Sequence, residues 1–187
     1  MKEINLSKTS IFVGNIPNIL KEKFNFNNLK KNFILNKKVK NFQSKDLYDY
    51  HCNYLNIQDH KHLIWIDDYI RDHFKLVENV PRIRLFQKAG IVQNKNESLG
   101  FHYHFIEKDM ENSPIFSLVY TINCGVEDSH IILKYPKDNR KDNFCKINLK
   151  QNNFIMFPSY FEFSITKNLN IDPLVNLVLQ YKQAETS

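Results

Sequence analysis

From Pro81 onward the chain changes rhythm. Its apolar residues stop recurring at helical spacing and instead alternate with polar ones or gather in short runs. RIRLFQ at 82–87 alternates, and similar stretches follow at 101–106, 115–123, 130–135, 144–149, 154–157, 160–166 and 174–181. Successive side chains of a strand point to opposite faces, so a period of two marks strands that bury one face. Turn-forming residues separate the stretches at Lys88–Gly90, Glu107–Pro114, Gly125–Ser129, Pro136–Asn143, Gln151–Asn153 and Asn168–Pro173. About eight strands at roughly ten-residue spacing predict a β-sandwich or barrel.

The first eighty residues read differently. SIFVG (Ser10–Gly14) predicts a short strand, ended by a turn at Asn15–Pro17. Residues 18–56 carry apolar side chains between basic runs and predict one or two helical pieces. The stretch Gln58–Val77 gives the clearest helical signal, because Leu63, Ile66, Ile70 and Phe74 recur at helical spacing. Asn56 is placed to cap its start, and Asp59 favours the positive end of its dipole. His60, His62 and His73 fall on this segment; His62 and His73 lie about three turns apart, too far to share a metal ion. Helices followed by an all-β portion fit a jelly roll with helices packed outside it. At 187 residues the chain is one domain, with mixed strand and helical support in 1–80 and a jelly-roll core in 81–182.

Composition narrows the functional classes. The net charge is +6, but only Arg71, Arg82, Arg84 and Arg140 are arginines. A reader of nucleic acid more often relies on arginine forks, so the lysines read as a solvated surface and nucleic acid as an improbable partner. The lysine, asparagine and isoleucine bias resembles the coding bias of an AT-rich bacterial or viral genome. Cys52, Cys124 and Cys145 are odd in number and form no C-x-x-C pair, which suits buried thiols in a reducing cytoplasm. The opening MKEINLSKTSIF has no signal-peptide stretch, and no apolar run is long enough to span a membrane. Phosphate-binding glycine loops, nucleophile elbows and H-E-x-x-H are absent.

The sharpest local feature is Phe101-His102-Tyr103-His104-Phe105. On a strand, His102 and His104 project from one face while the three aromatics face the other way. Two imidazoles side by side can chelate a divalent metal if a third ligand arrives from elsewhere. The alternative is a pair of polar histidines at a barrel mouth.

Four stretches between Arg82 and Lys182 together resemble the bacterial and phage iron(II)/2-oxoglutarate oxygenases. RIRLFQKAG (82–90) is similar to the strand and K-x-G turn before the first ligand motif. HYH (102–104) falls where the family places its first His and the ligand two residues on. FSLVYTINC (116–124) resembles the S-G-V-Y-Y-L strand. NNFIMFPSYFEFSITKN (152–168) resembles G-x-L-V-L-F-P-S-W-L-x-H-x-V-x-P-N, and its Phe157-Pro158-Ser159-Tyr160 piece is the most specific of the four. The resemblance implies a double-stranded β-helix, Fe(II) held by two His and a carboxylate, 2-oxoglutarate chelated to the metal, and hydroxylation of a substrate.

Two departures stand out. The distal His of the family falls at Phe163, and a phenyl ring cannot ligate iron. Glu162 reaches the metal only if a bulge shifts the strand by one. Glu107, Asp109 and His130 are further third-ligand candidates. The co-substrate arginine falls near Pro173 or Leu174, neither of which is basic; Lys167 or Arg140 stands in from elsewhere, and Tyr120 is a second candidate co-substrate contact. The expectation is therefore an oxygenase-like protein with an incomplete triad at His102, His104 and Glu162, binding Fe(II) and 2-oxoglutarate if active and no cofactor otherwise. Its alternative is an inactive oxygenase-like domain with a binding or assembly role, such as a phage accessory or virion-associated protein, working as a homo-oligomer or with an assembly partner. A cupin-like metal protein using H-x-H without 2-oxoglutarate is a third reading.

Overall fold

The structure is a computed structural model, and it describes residues 2–6, 9–17, 30–31, 34, 54–56, 64–75, 81–104, 109, 113–138 and 141–184. The elements are β1 (Lys2–Leu6), β2 (Thr9–Asn15), β3 (Tyr54–Asn56), α1 (Ile64–Phe74), β4 (Ile83–Gln93), β5 (Leu99–His102), β6 (Phe116–Asn123), β7 (Ser129–Asp138), β8 (Lys141–Leu149), β9 (Asn153–Pro158), β10 (Glu162–Ile165) and β11 (Leu174–Gln183). They form two antiparallel sheets, a large one of order β1-β2-β9-β6-β11-β4-β3 and a small one of order β5-β10-β7-β8.

Burial explains why some strands alternate and others do not. The large sheet is covered on both faces. One face packs on the small sheet through Val119, Phe157 and Val178, which meet Ile131, Leu133 and Phe163. The other packs under α1, where Ile66, Ile70 and Phe74 meet Leu118, Tyr120 and Leu177. β6 and β11 lie at the middle of this sheet and are buried on both sides, hence the absence of a clean polar-out alternation in FSLVYTIN and LVNLVLQY. The helix positions Ile66, Ile70 and Phe74 have the expected spacing and are all buried. No helix among the described residues is long and apolar enough to cross a membrane.

Several local expectations are corrected. Lys88–Gly90 is not a turn: β4 runs through it to Gln93, with Gly90 paired to Leu177 on one side and Leu55 on the other. Two flanking strands supply ladder hydrogen bonds that outweigh the weak strand propensity of one glycine. The reversal comes at Asn94–Ser98 instead, where Asn96 takes the left-handed conformation (φ 69°). Asn56 ends strand β3, so Tyr54–Asn56 is extended where helical structure was expected. The described part of the helix is Ile64–Phe74; the remaining termini of the expected Gln58–Val77 helix, with His60 and His62, lie outside the described residues. So does most of 18–53, including Cys52. The N-terminal strands join the large sheet directly, since β2 pairs with β9 and β1 with β2. Cys124 and Cys145 are free thiols.

Candidate functional site

β5 is an edge strand, and its neighbour in the small sheet is β10. Their register places Phe163 directly opposite His102. The chain leaves β5 after His102, and the backbone N–H of His104 donates to the carbonyl of Ser159 at 3.3 Å. That bond ties the segment to the turn after Pro158, so His102 and His104 stay together although only His102 is in the strand. The imidazole centroids are 5.6 Å apart. Phe163, fully buried, lies 4.0 Å from the His102 ring and 5.1 Å from the His104 ring. Phe157 backs it at 5.3 Å. Phe101 and Tyr103 face outward and are about half exposed; Phe105 lies outside the described residues.

Each imidazole has its Nδ1 engaged. His102 Nδ1–H donates to the carbonyl of Gly100 at 2.8 Å. His104 Nδ1 is 2.8 Å from Ser117 Oγ, and Ser117 Oγ is 2.7 Å from Ser159 Oγ, a buried chain across β6 and the β9–β10 turn. Burial lowers the His102 pKa to about 4, against a smaller opposing effect of the Gly100 carbonyl. Burial, reinforced by repulsion from His102, lowers that of His104 to about 3. Both rings are therefore neutral at pH 7, the form that ligates metals and also the form that packs against an aromatic ring.

The other candidates named from the sequence fall elsewhere in the fold, and their positions follow from strand alternation. Glu162, one residue before Phe163, points to the opposite face of the small sheet; there its Oε2 accepts from Lys134 Nζ at 3.2 Å. The pairing irregularity in this strand comes after Phe163, between Phe163 and Ile165, so it leaves the side of Glu162 unchanged. Tyr120 lies in the core under α1, not between the sheets, and its hydroxyl donates to Asn152 Oδ1 at 2.7 Å. Lys167 and Asp109 are exposed. His130 is on the face of β7 opposite Ile131 and Leu133, while Glu107 and Arg140 lie outside the described residues. Among the described residues no three His, Cys, Asp or Glu side chains gather as a metal-binding group.

The interior-facing residues of β11 decide how a dicarboxylate co-substrate would be received. Leu174 and Val178 face the small sheet, so Asn176 and Gln180, between and after them, do too. Gln180 sits opposite Ser117 and Asn176 opposite Thr121, whose hydroxyl donates to Asn176 Oδ1 at 2.9 Å. The first half of the strand thus offers an amide where the family pattern needs a cation. Lys182 is the basic residue on this face, at the far end of β11, with its ammonium 4.0 Å from the centre of the Phe86 ring. Ser117, Ser159, Asn176 and Gln180 carry the polar character of this interior, and none of them was assigned a role from the sequence. Their signal was available, since each is a polar residue at an inward step of an otherwise apolar strand or turn.

Among the described residues, the donor set does not fit the iron and 2-oxoglutarate of the family pattern. Two imidazoles are present, the third direction is filled by a phenyl ring that donates nothing, and the near inward positions of β11 hold no cation to meet a distal carboxylate.

No family model matches the chain, and no curated protein matches it. Solved structures do. A prolyl-4-hydroxylase from Pseudomonas putida superposes with a TM-score of 0.58 at 8% identity, covering 96% of this chain and 95% of its own. A prolyl hydroxylase from Trichoplax adhaerens, solved with a hypoxia inducible factor peptide fragment, gives 0.55 at 10% identity and covers 91% and 82%. A viral collagen prolyl hydroxylase from Paramecium Bursaria Chlorella virus-1, solved with 2OG, gives 0.53 at 10% identity and covers 70% and 77%. The chain spans only about half the length of two other matched structures, at TM-scores of 0.46 and 0.44. At these identities the likeness is one of fold: the chain is a mainly β jelly roll built like those of the prolyl hydroxylases.

Proposed function

We propose that this protein is a jelly roll of oxygenase type that has lost iron- and 2-oxoglutarate-dependent turnover and acts through binding or assembly. The observation that carries the reading is Phe163, seated across from His102 and in contact with both imidazoles. A phenylalanine there does two things at once. It removes the third donor, and it makes the pair part of an aromatic cluster whose neutral rings are stabilised by packing. The uncharged inward residues Asn176 and Gln180 of β11 point the same way, because turnover needs both the triad and a grip on the co-substrate. The structural neighbours support the ancestry of the fold. They bear on chemistry only through their own names, which describe hydroxylases. A homo-oligomer or an assembly with a partner protein is the form of action proposed.

The test is to add iron(II) and 2-oxoglutarate under anaerobic conditions to the full chain. The expected result is no visible charge-transfer band and no iron retained after desalting. A band with one iron per chain would overturn the reading and would mean that a residue such as Glu107, three positions beyond His104, completes the triad. Mass photometry addresses the assembly role, which a strict monomer with no partner would contradict.

A further inference from the structure

A cavity of about 580 Å³ opens at a corner of the molecule away from the histidine pair, where the end of α1 meets the start of β4 and the end of β11. That volume lies within the range of small-molecule sites. Its wall combines three cations, Arg71, Lys75 and Arg82, with the apolar surfaces of Phe74 and Ile83. Two of the chain's four arginines therefore meet at one cavity.

The three cations are committed to different degrees. Arg71 is anchored from behind, with Nε donating to Asp67 Oδ2 at 3.0 Å and Nη2 to Asp68. Lys75 pairs with Asp72 at 2.7 Å, but both side chains are more than half exposed, so water screens the pair and it yields readily. Arg82 is exposed and has no acidic partner among the described residues; its backbone carbonyl accepts from Ala184 N–H at 2.8 Å. Its five-donor fork is available for a planar oxyanion. Behind Arg71, Asp67 Oδ1 and Tyr181 Oη are buried near one another without a hydrogen bond of good geometry. The carboxyl end of α1 opposes an anion with only about half a charge, whereas the wall presents full cations, and Arg82 among them has no acidic partner among the described residues.

We infer that this corner binds a small organic oxyanion, a carboxylate or phosphate on an apolar body. Arg82 takes the oxyanion as a fork, Lys75 and Arg71 flank it, and Phe74 and Ile83 receive the body. Nothing in this inference depends on iron or on the histidine pair.

The test is an amide-detected NMR titration of the full chain with four probes: benzoate, phenyl phosphate, inorganic phosphate and benzyl alcohol. Benzoate or phenyl phosphate should shift the amides of Phe74, Ile83 and Ala184 saturably, and which of them binds tighter identifies the oxyanion. Arg82→Ala should weaken that binding about tenfold or more, Arg82→Lys should fall between, and Lys95→Ala, in the distant β4–β5 turn, should bind as the unaltered chain does. The inference fails if neither anion gives saturable shifts at this corner or if Arg82→Ala binds equally well. It fails too if benzyl alcohol matches the anions, which would remove the charge argument, or if inorganic phosphate matches phenyl phosphate, which would remove the apolar one.

Discussion

Phe163 stands opposite His102 across the β5–β10 pair, its ring centre 4.0 Å from that of the imidazole. One side chain thereby occupies the direction from which a third metal ligand would come, and the same side chain is a buried part of the core between the sheets.

Replacing it should expose what the site lacks. Phe163→His puts an imidazole of similar bulk among His102 and His104, completing three nitrogen donors. The variant should take up one divalent ion per chain, zinc or iron(II), where the unaltered protein retains none after desalting. Equilibrium dialysis with elemental analysis checks this. His104→Ala in the Phe163→His background should abolish the gain, and uptake that survives it would place the metal elsewhere.

Phe163→Ala tests the packing role. Removing a buried phenyl ring leaves a cavity lined by Phe157 and two imidazoles, and such truncations cost about 3–5 kcal/mol. Urea denaturation should show a midpoint shift of that size at unchanged m-value. A near-neutral result would mean that Phe163 packs loosely and that the site is open.

Acid should destabilise the protein through the same cluster. Both folded-state imidazole pKa values, about 4 for His102 and about 3 for His104, lie below the ordinary 6.5. As pH falls through 6.5 the unfolded chain takes up protons and the folded chain does not, so stability drops progressively toward pH 4. Each unit of depression is worth roughly 1.4 kcal/mol. Unfolding measured at about pH 7.5 and about pH 5 should differ, and the double variant His102→Gln, His104→Leu should flatten the difference. Equal slopes in the two proteins would mean that other groups govern the acid limb.

Asn168 holds the loop between β10 and β11. It is fully buried; its Nδ2 donates to the carbonyls of Gln93 (3.0 Å) and Asp172 (2.9 Å), and its Oδ1 accepts from Asn170 N–H at 3.0 Å. Asn168→Ala strands these groups and should cost about 2–4 kcal/mol. Asn168→Asp should cost at least as much, because a carboxylate then faces two carbonyl oxygens. Thermal melts of the two variants decide this, and a milder effect for Asp would contradict the assigned donor roles.

The alternation after Pro81, the turn residues between the strands and the helical spacing of Ile66, Ile70 and Phe74 are local patterns, and they sufficed for two sheets with a helix on the outside. Strand ends were less legible. Whether β4 stops at Lys88 or continues through Gly90 depends on partners far along the chain, since β11 supplies the ladder that carries the strand onward.

The same division runs through the site. That His102 and His104 are two residues apart is read from the chain, but the His104 bond to Ser159 is what keeps them together beyond the end of β5; that position 163 holds no ligand follows from its being phenylalanine. Register decided the rest. A strand slipped by one residue exchanges its two faces, so only pairing could turn Glu162 toward Lys134 and Phe163 toward the imidazoles, or send Tyr120 under the helix while Ser117 reaches His104. By itself the sequence pointed to a jelly roll and to a histidine pair two residues apart as its candidate site. Tertiary structure alone decided that a phenyl ring fills the space between that pair and the core, because side-chain facing is set by hydrogen bonds between strands far apart in the chain.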